Sequence, residues 1–215
     1  MKNIPDPVLD EFLQTCHKAA TRGLMRCSSG NLSLRLDDAR MLATATRSWM
    51  ADVTAEQVSV CRISDGVLLD GAKPTVEIGF HAAIMRIRPD VNVVMHFQTP
   101  YATALACQQA RDINYFVIPE IPFYIGPVAR VPYFLPGSKE LAEAVTGAMQ
   151  NHDMVVMGNH GIVTVAADYA HVIQNAEFFE LACEIITHSG DALNPLSEED
   201  VKALLAARKT ATRGV

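Results

Sequence analysis

The chain has 215 residues, 49% of them hydrophobic and 20% charged, and no glycine/serine-rich or charged run divides it, so one domain over residues 1–215 with a sizeable core is expected. A formal net charge of −6 excludes a global attraction to nucleic acid or to an anionic membrane surface, leaving only a local basic pocket for a phosphorylated metabolite. Five scattered cysteines without a CxxC pair (Cys16, Cys27, Cys61, Cys107, Cys183) argue against a disulfide framework or a thiolate zinc site. MKNIPDPVLDEF has no continuous apolar h-region and no run approaches about 18 apolar residues, so reduced thiols and a cytoplasmic location are expected.

Asp6-Pro7 supplies a cap followed by proline at the first helical position, and Val8, Phe12 and Leu13 recur at helical spacing toward Gly23. The first element is predicted to be an amphipathic helix. After CSSGN come short alternating or apolar segments, LSLRL, MLATA and VSVCRI, with Asp65-Gly66 as a tight turn before VLLDG, which predicts a block of strands. From Glu77 to Arg88 the period is helical again, with Ile78, Ala82 and Met85 on one stripe, and Pro89-Asp90 stops it before the strand VNVVMHF. PYATALACQ reads as helix, GPVARVPY as extended, Ser138 to Gln150 as helix, and DMVVMGNHGIVTV as two short strands around a turn. Helices close the chain, Tyr169 to His188 and then one capped by Ser197 with Asp200 three places on. No element is predicted over PEIPFYI. Strands and helices mix irregularly, so the class is a mixed α/β layer fold.

The residues that bear chemistry cluster in a few stretches. At period two, Val94, His96 and Gln98 point to one side of their strand and Val93, Met95 and Phe97 to the other, so one face can hold a metal while the other builds a core. A second imidazole, His160, sits in the Gly158-Asn159-His160-Gly161 turn. Spacing alone leaves shared metal ligation and ordinary structural histidines both open. Glu77 opens a helix, where it serves either as a reactive carboxylate or simply as a first-turn acid favoured by the helix dipole. His81, one turn further on, either supports Glu77 or packs in the core, and packing is the favoured reading. Ser28, Ser29, Gly30 and Asn31 can form an anion-cradling turn, and Arg47 can add a permanent charge or lie on the surface beside Trp49.

Taken in order, SSGNLS (28 to 33), MLATATRSW (41 to 49), KPTVEIGFH (73 to 81), RPDVNVVMHFQTPYATA (88 to 104), NY (114 to 115) and GNHG (158 to 161) resemble the class II aldolase/adducin family over most of the chain. The resemblance implies a three-layer α/β/α sandwich with a mixed, mainly antiparallel sheet. It also implies a fourfold tetramer with active sites at subunit boundaries. It implies a divalent metal, zinc first with manganese, iron or cobalt as alternatives, held by His96 and His160, with Gln98 where the family has another histidine. Glu77 matches the catalytic acid/base and Tyr115 a tyrosine supplied by a neighbouring subunit. Ser28, Ser29, Gly30 and Asn31 match the phosphate loop, which this chain completes with Thr46-Arg47 and Thr75-Val76 in place of Thr-Gly and Ser-Ser. The expected reaction is metal-dependent cleavage of L-fuculose 1-phosphate or a close relative to dihydroxyacetone phosphate and an aldehyde such as L-lactaldehyde. Sister reactions remain open, namely decarboxylation of a phosphorylated oxo-tetronate, pentulose-phosphate epimerisation and thiosugar-phosphate dehydration, as does a non-catalytic interaction module.

Overall fold

The computed structural model describes residues 4–108 and 112–211. Helix α1 (Asp6–Thr21) leads into strands β1 (Asn31–Arg35), β2 (Arg40–Thr44), β3 (Val58–Arg62) and β4 (Leu68–Gly71). There follow α2 (Ile78–Ile87), β5 (Val93–Phe97), α3 (Pro100–Ala106), β6 (Val128–Val131), α4 (Lys139–Met149), β7 (Met154–Met157), β8 (Gly161–Ala166), α5 (Tyr169–Ser189) and α6 (Glu198–Ala211). The eight strands form one sheet in the order β4-β3-β2-β1-β5-β8-β7-β6. Only β6 and β7 run parallel; the other neighbours are antiparallel, and short turns join β1 to β2, β3 to β4 and β7 to β8.

Helices cover both faces, which gives the three expected layers. One core joins Phe12 and Cys16 of α1, Ala102 and Leu105 of α3 and Phe179 of α5 to Val93, Met95 and Phe97 of β5. The other joins Phe80 and Ile84 of α2 and Leu141 and Val145 of α4 to Val94, Val155 and Val163. Strand β5 lies in the middle of the sheet, buried at every position. Its alternation sends three side chains into the first core, so the period-two reading holds and His96 shares the side of Val94. Each buried aliphatic or aromatic side chain on these faces contributes roughly 1.5–3 kcal/mol, which makes this double-sided packing the main source of the site's rigidity.

The helix ends follow local chemistry. Ser138 Oγ accepts from the Leu141 amide at 3.1 Å and Asp168 accepts from the His171 amide at 2.9 Å, stopping orphan N–H groups at the starts of α4 and α5. Ser197 does the same for Asp200 ahead of α6. At α1 the cap lies one residue earlier than predicted. Pro5 is the extended N-cap and Asp6 belongs to the first turn, where its carboxylate meets the helix dipole without a capping bond. PEIPFYI, where no element is predicted, contains a single π-helical turn, Ile121–Ile125, closed by a 2.7 Å bond from the Gly126 amide to the Ile121 carbonyl. One turn is too short to impose a period on the sequence. No helix among the described residues is long and apolar enough to cross a membrane.

Candidate metal centre

Three elements bring their ends together over β1. Glu77 is the residue from which α2 starts, His96 sits in β5 opposite Asn31 of β1 and Val163 of β8, and His160 lies in the turn between β7 and β8. Their ligand atoms all lie within 4.8 Å of one another. His160 Nε2 is 3.3 Å from Glu77 Oε1, and His96 Nε2 is 3.6 Å from Glu77 Oε2. The carboxylate is only 5% exposed and His96 only 2%. Two residues separated by 64 positions in sequence thus meet because adjacent antiparallel strands carry them to one end of the sheet.

The chemistry of these atoms suits a divalent cation. His96 Nδ1 lies 2.9 Å from the Ile162 carbonyl. A carbonyl only accepts, so Nδ1 carries the proton and Nε2 keeps its lone pair toward Glu77 and His160. Glu77 Oε1 and His160 Nδ1 are buried with no hydrogen-bond partner among the described residues. A buried carboxylate oxygen left so is costly unless a cation meets it. Burial pushes the Glu77 carboxyl up, but the neighbouring His96, the Asn31 amide and His160 outweigh it and hold the group below the ordinary carboxylate range. Burial, reinforced by His96, holds His160 below the usual histidine range despite the pull of Glu77. One carboxylate and two imidazole Nε2 atoms therefore face one another as a set of metal-ligating atoms.

A polar chain backs the carboxylate. Asn31 Nδ2 donates to Glu77 Oε2 at 2.8 Å and to Thr75 Oγ1 at 3.1 Å, and the Glu77 amide donates to Thr75 Oγ1 at 3.3 Å. His81 Nε2 is 2.5 Å from Asn31 Oδ1, and its Nδ1 is 2.7 Å from Ser33 Oγ. His81 is completely buried, which pushes its pKa down to about 3. It packs, as the sequence favours, against Phe80 at 4.7 Å between ring centroids, but it is also hydrogen-bonded at both nitrogens. The signal for this was present in two spacings: Asn31 and Ser33 share one face of a strand, and Glu77 and His81 one face of a helix.

The remaining candidates fall around this centre in different ways. The side chain of Asn31, expected in the phosphate loop, is engaged with Glu77, Thr75 and His81. Ser29 Oγ donates to the Arg26 carbonyl at 2.6 Å and accepts from the Arg26 amide, holding the turn itself. Gly30 has φ +79°, and a Cβ there would come within 2.6 Å of the His96 carbonyl, so only glycine lets the loop lie against β5. Ser28 precedes it, and Thr46 donates its amide to the Lys73 carbonyl at 3.0 Å. Arg47 is exposed in the left-handed region at φ +62°, beside an exposed Trp49. Gln98 donates its side-chain amide to the His160 carbonyl, tying the His160 turn to β5 and leaving the amide oxygen as its donor atom for a cation. Tyr115 packs into the first core with its ring 5.0 Å from that of Phe179.

Comparison with known proteins agrees with this fold. The family model described as the Class II Aldolase and Adducin N-terminal domain matches residues 10–187. A 3-oxo-tetronate 4-phosphate decarboxylase of Haemophilus influenzae is 33% identical over 187 residues, 85% of this chain and 89% of that protein. An L-fuculose phosphate aldolase of Methanococcus vannielii is 32% identical over 172 residues, 80% of this chain and 91% of that one. Among solved structures, YgbL of Klebsiella pneumoniae superimposes with a TM-score of 0.87 at 29% identity, covering 94% of this chain and all of that one.

Proposed function

This chain belongs to the class II aldolase and adducin family, and from that premise we propose that it is a divalent-metal-dependent carbon–carbon lyase that decarboxylates a phosphorylated 3-oxo-tetronate to dihydroxyacetone phosphate. The observation that carries the reading is the buried Glu77–His96–His160 cluster with its unpartnered carboxylate oxygen. The decarboxylases of Haemophilus influenzae and Escherichia coli, 33% identical over 85% of the chain, favour this reaction within the family.

His96 Nε2, His160 Nε2 and the Glu77 carboxylate would hold the cation, zinc first and manganese, iron or cobalt next, with the Gln98 amide oxygen as a further donor. The cation supplies a Lewis acid that stabilises negative charge growing on the substrate's carbonyl oxygen. In the reaction the bond from C2 to the carboxylate breaks, the carboxylate leaves as carbon dioxide, and its electron pair remains at C2. Glu77, a carboxylate at rest, would take up one proton from solvent when the substrate is bound, deliver it to C2 and so return to the carboxylate. Ser28, Ser29, the Gly30 backbone, Thr46 and Thr75 form the phosphate site, with Arg47 adding a fixed charge at its rim. Arg47 belongs with the phosphate rather than the carboxylate, because a guanidinium on a carboxylate that departs as neutral carbon dioxide would stabilise the ground state.

Aldol cleavage of L-fuculose 1-phosphate is the second reading, supported by the aldolase relative from Methanococcus vannielii. It leaves the same electron pair on the same carbon and yields the same ketose phosphate. It additionally requires a base for the departing aldehyde's hydroxyl proton, the role expected of Tyr115 from a neighbouring subunit. Decarboxylation makes no such demand, which suits a Tyr115 whose ring is packed against Phe179 within its own chain.

The test supplies 3-oxo-tetronate 4-phosphate and L-fuculose 1-phosphate separately, measuring dihydroxyacetone phosphate before chelation, after it, and with individual divalent metals restored. The expected result is equimolar carbon dioxide and dihydroxyacetone phosphate from the first substrate, abolished by chelation, restored by zinc or manganese, and reduced about 10²–10⁴-fold in Glu77→Gln. Product from the second substrate alone would establish the aldolase; product from neither, under any metal, would overturn the lyase reading.

A further inference from the structure

We propose that His81 and Ser33 are positioning residues that fix which way the Asn31 amide faces, and through it hold the Glu77 carboxylate in the orientation that its metal and proton-transfer duties need; the inference rests on the reading of Glu77 just given. The hydrogen-bond directions follow from chemistry. Glu77 Oε2 accepts from Asn31 Nδ2 at 2.8 Å, so the other end of the amide, Oδ1, faces His81 Nε2 at 2.5 Å. Oδ1 can only accept, so His81 carries its proton on Nε2. A neutral imidazole then has a lone pair on Nδ1, which accepts from the Ser33 hydroxyl at 2.7 Å. Each donor faces one way, from Ser33 to His81, to Asn31, to Glu77.

The chain has a reason to exist. A primary amide can turn over by exchanging its oxygen and nitrogen, and a flipped Asn31 would set its oxygen against the Glu77 carboxylate. Among the described residues, the Nε2–H donor of His81 penalises that flip from the far side, and the Ser33 hydroxyl, by donating to Nδ1, satisfies the lone pair left when the proton sits on Nε2. The members are buried: Ser33 and His81 are 0% exposed and Asn31 6%. The result is a carboxylate with Oε2 fixed and Oε1 turned toward His160.

The experiment combines a readout independent of turnover with kinetics. In protein labelled with ¹⁵N-histidine, long-range nitrogen–proton spectra are expected to show His81 neutral and protonated on Nε2; protonation on Nδ1 reverses the chain and overturns the proposal. Cobalt(II) affinity, followed by its visible absorption, is expected to fall about tenfold or more in His81→Leu, and kcat to fall about 10–100-fold with KM little changed. His81→Gln, which keeps an N–H donor near the Nε2 position, is expected to restore most of both. Ser33→Ala, a milder change that keeps the fold if His81→Leu does not, is expected to let the Nδ1-protonated form appear. A purely structural role would lower thermal stability equally in the leucine and glutamine variants while leaving cobalt affinity and kcat unchanged, and would sink the idea. If the wild type turns over neither sugar phosphate, the lyase reading fails, while the tautomer and cobalt results still decide whether the chain orients Glu77.

Discussion

Gly161 is the residue on which the centre's packing turns. A Cβ at this position would lie 2.7 Å from Gln98 Cγ, 2.8 Å from His96 Cε1 and 2.8 Å from the Phe97 carbonyl. One of those contacts is backbone and the others belong to side chains already fixed, His96 by the Ile162 carbonyl and Gln98 by the His160 carbonyl. Gly161→Ala is therefore expected to cost about 1–3 kcal/mol by overpacking. It should also lower kcat by up to about 10²-fold as His96 is displaced. Thermal melts together with steady-state rates check both; an unchanged kcat would mean that the strand end yields without moving the imidazole. The same close fit explains Gln98, whose amide nitrogen serves the His160 backbone and so does a structural task beside any role as a ligand.

At the scale of elements, the loop after β2 carries a conflict between stability and charge. Arg47 has φ +62°, a conformation that glycine takes freely and that costs other L-residues roughly 1–2 kcal/mol. Arg47→Gly relieves that strain, offset by about 0.5–1 kcal/mol of extra chain entropy lost on folding, so stability should stay level or rise by up to about 1 kcal/mol. If the guanidinium serves the phosphate, KM for the sugar phosphate should rise at least about tenfold, in line with a charge-assisted hydrogen bond worth roughly 1.5–3 kcal/mol. A melting temperature that falls would refute the strain relief, and a KM that does not move would remove Arg47 from the substrate site. The resemblance marked this loop by an arginine where a glycine was expected, and the backbone angle shows a left-handed position of the kind glycine takes freely.

For the whole molecule, the centre joins segments from α2, β5 and the β7–β8 turn, so a bound cation ties together parts of the chain that separate on unfolding. At a metal concentration 100 times the dissociation constant, this linkage is worth about 2.7 kcal/mol. For a chain of this size that corresponds to a rise of roughly 5–10 °C in melting temperature. The rise should appear with zinc or manganese, disappear with chelator, and be absent in His96→Ala; a shift that persists in His96→Ala would place the cation elsewhere. We further propose the fourfold assembly that the family resemblance implies, which light scattering of the purified protein tests directly.

Periodicity and punctuation determined most of the architecture from sequence alone: the strand block after CSSGN, the helices starting at Glu77, Ser138 and Tyr169, and the division of β5 into a core face and a His96 face. These are local properties, set by side-chain alternation, caps and turns over a few residues. The order of the eight strands, the meeting of His96 with His160, and the engagement of Asn31 with Glu77 rather than with an anion alone were decided only in the tertiary structure. They depend on which strands lie side by side and on which polar atoms are left facing one another once two cores have closed, and no local pattern encodes that. His81 shows the difference most plainly: its spacing allowed either packing or support, and burial between β1 and α2 gave it both, because Asn31 and Ser33 of β1 lie where its two nitrogens come to rest.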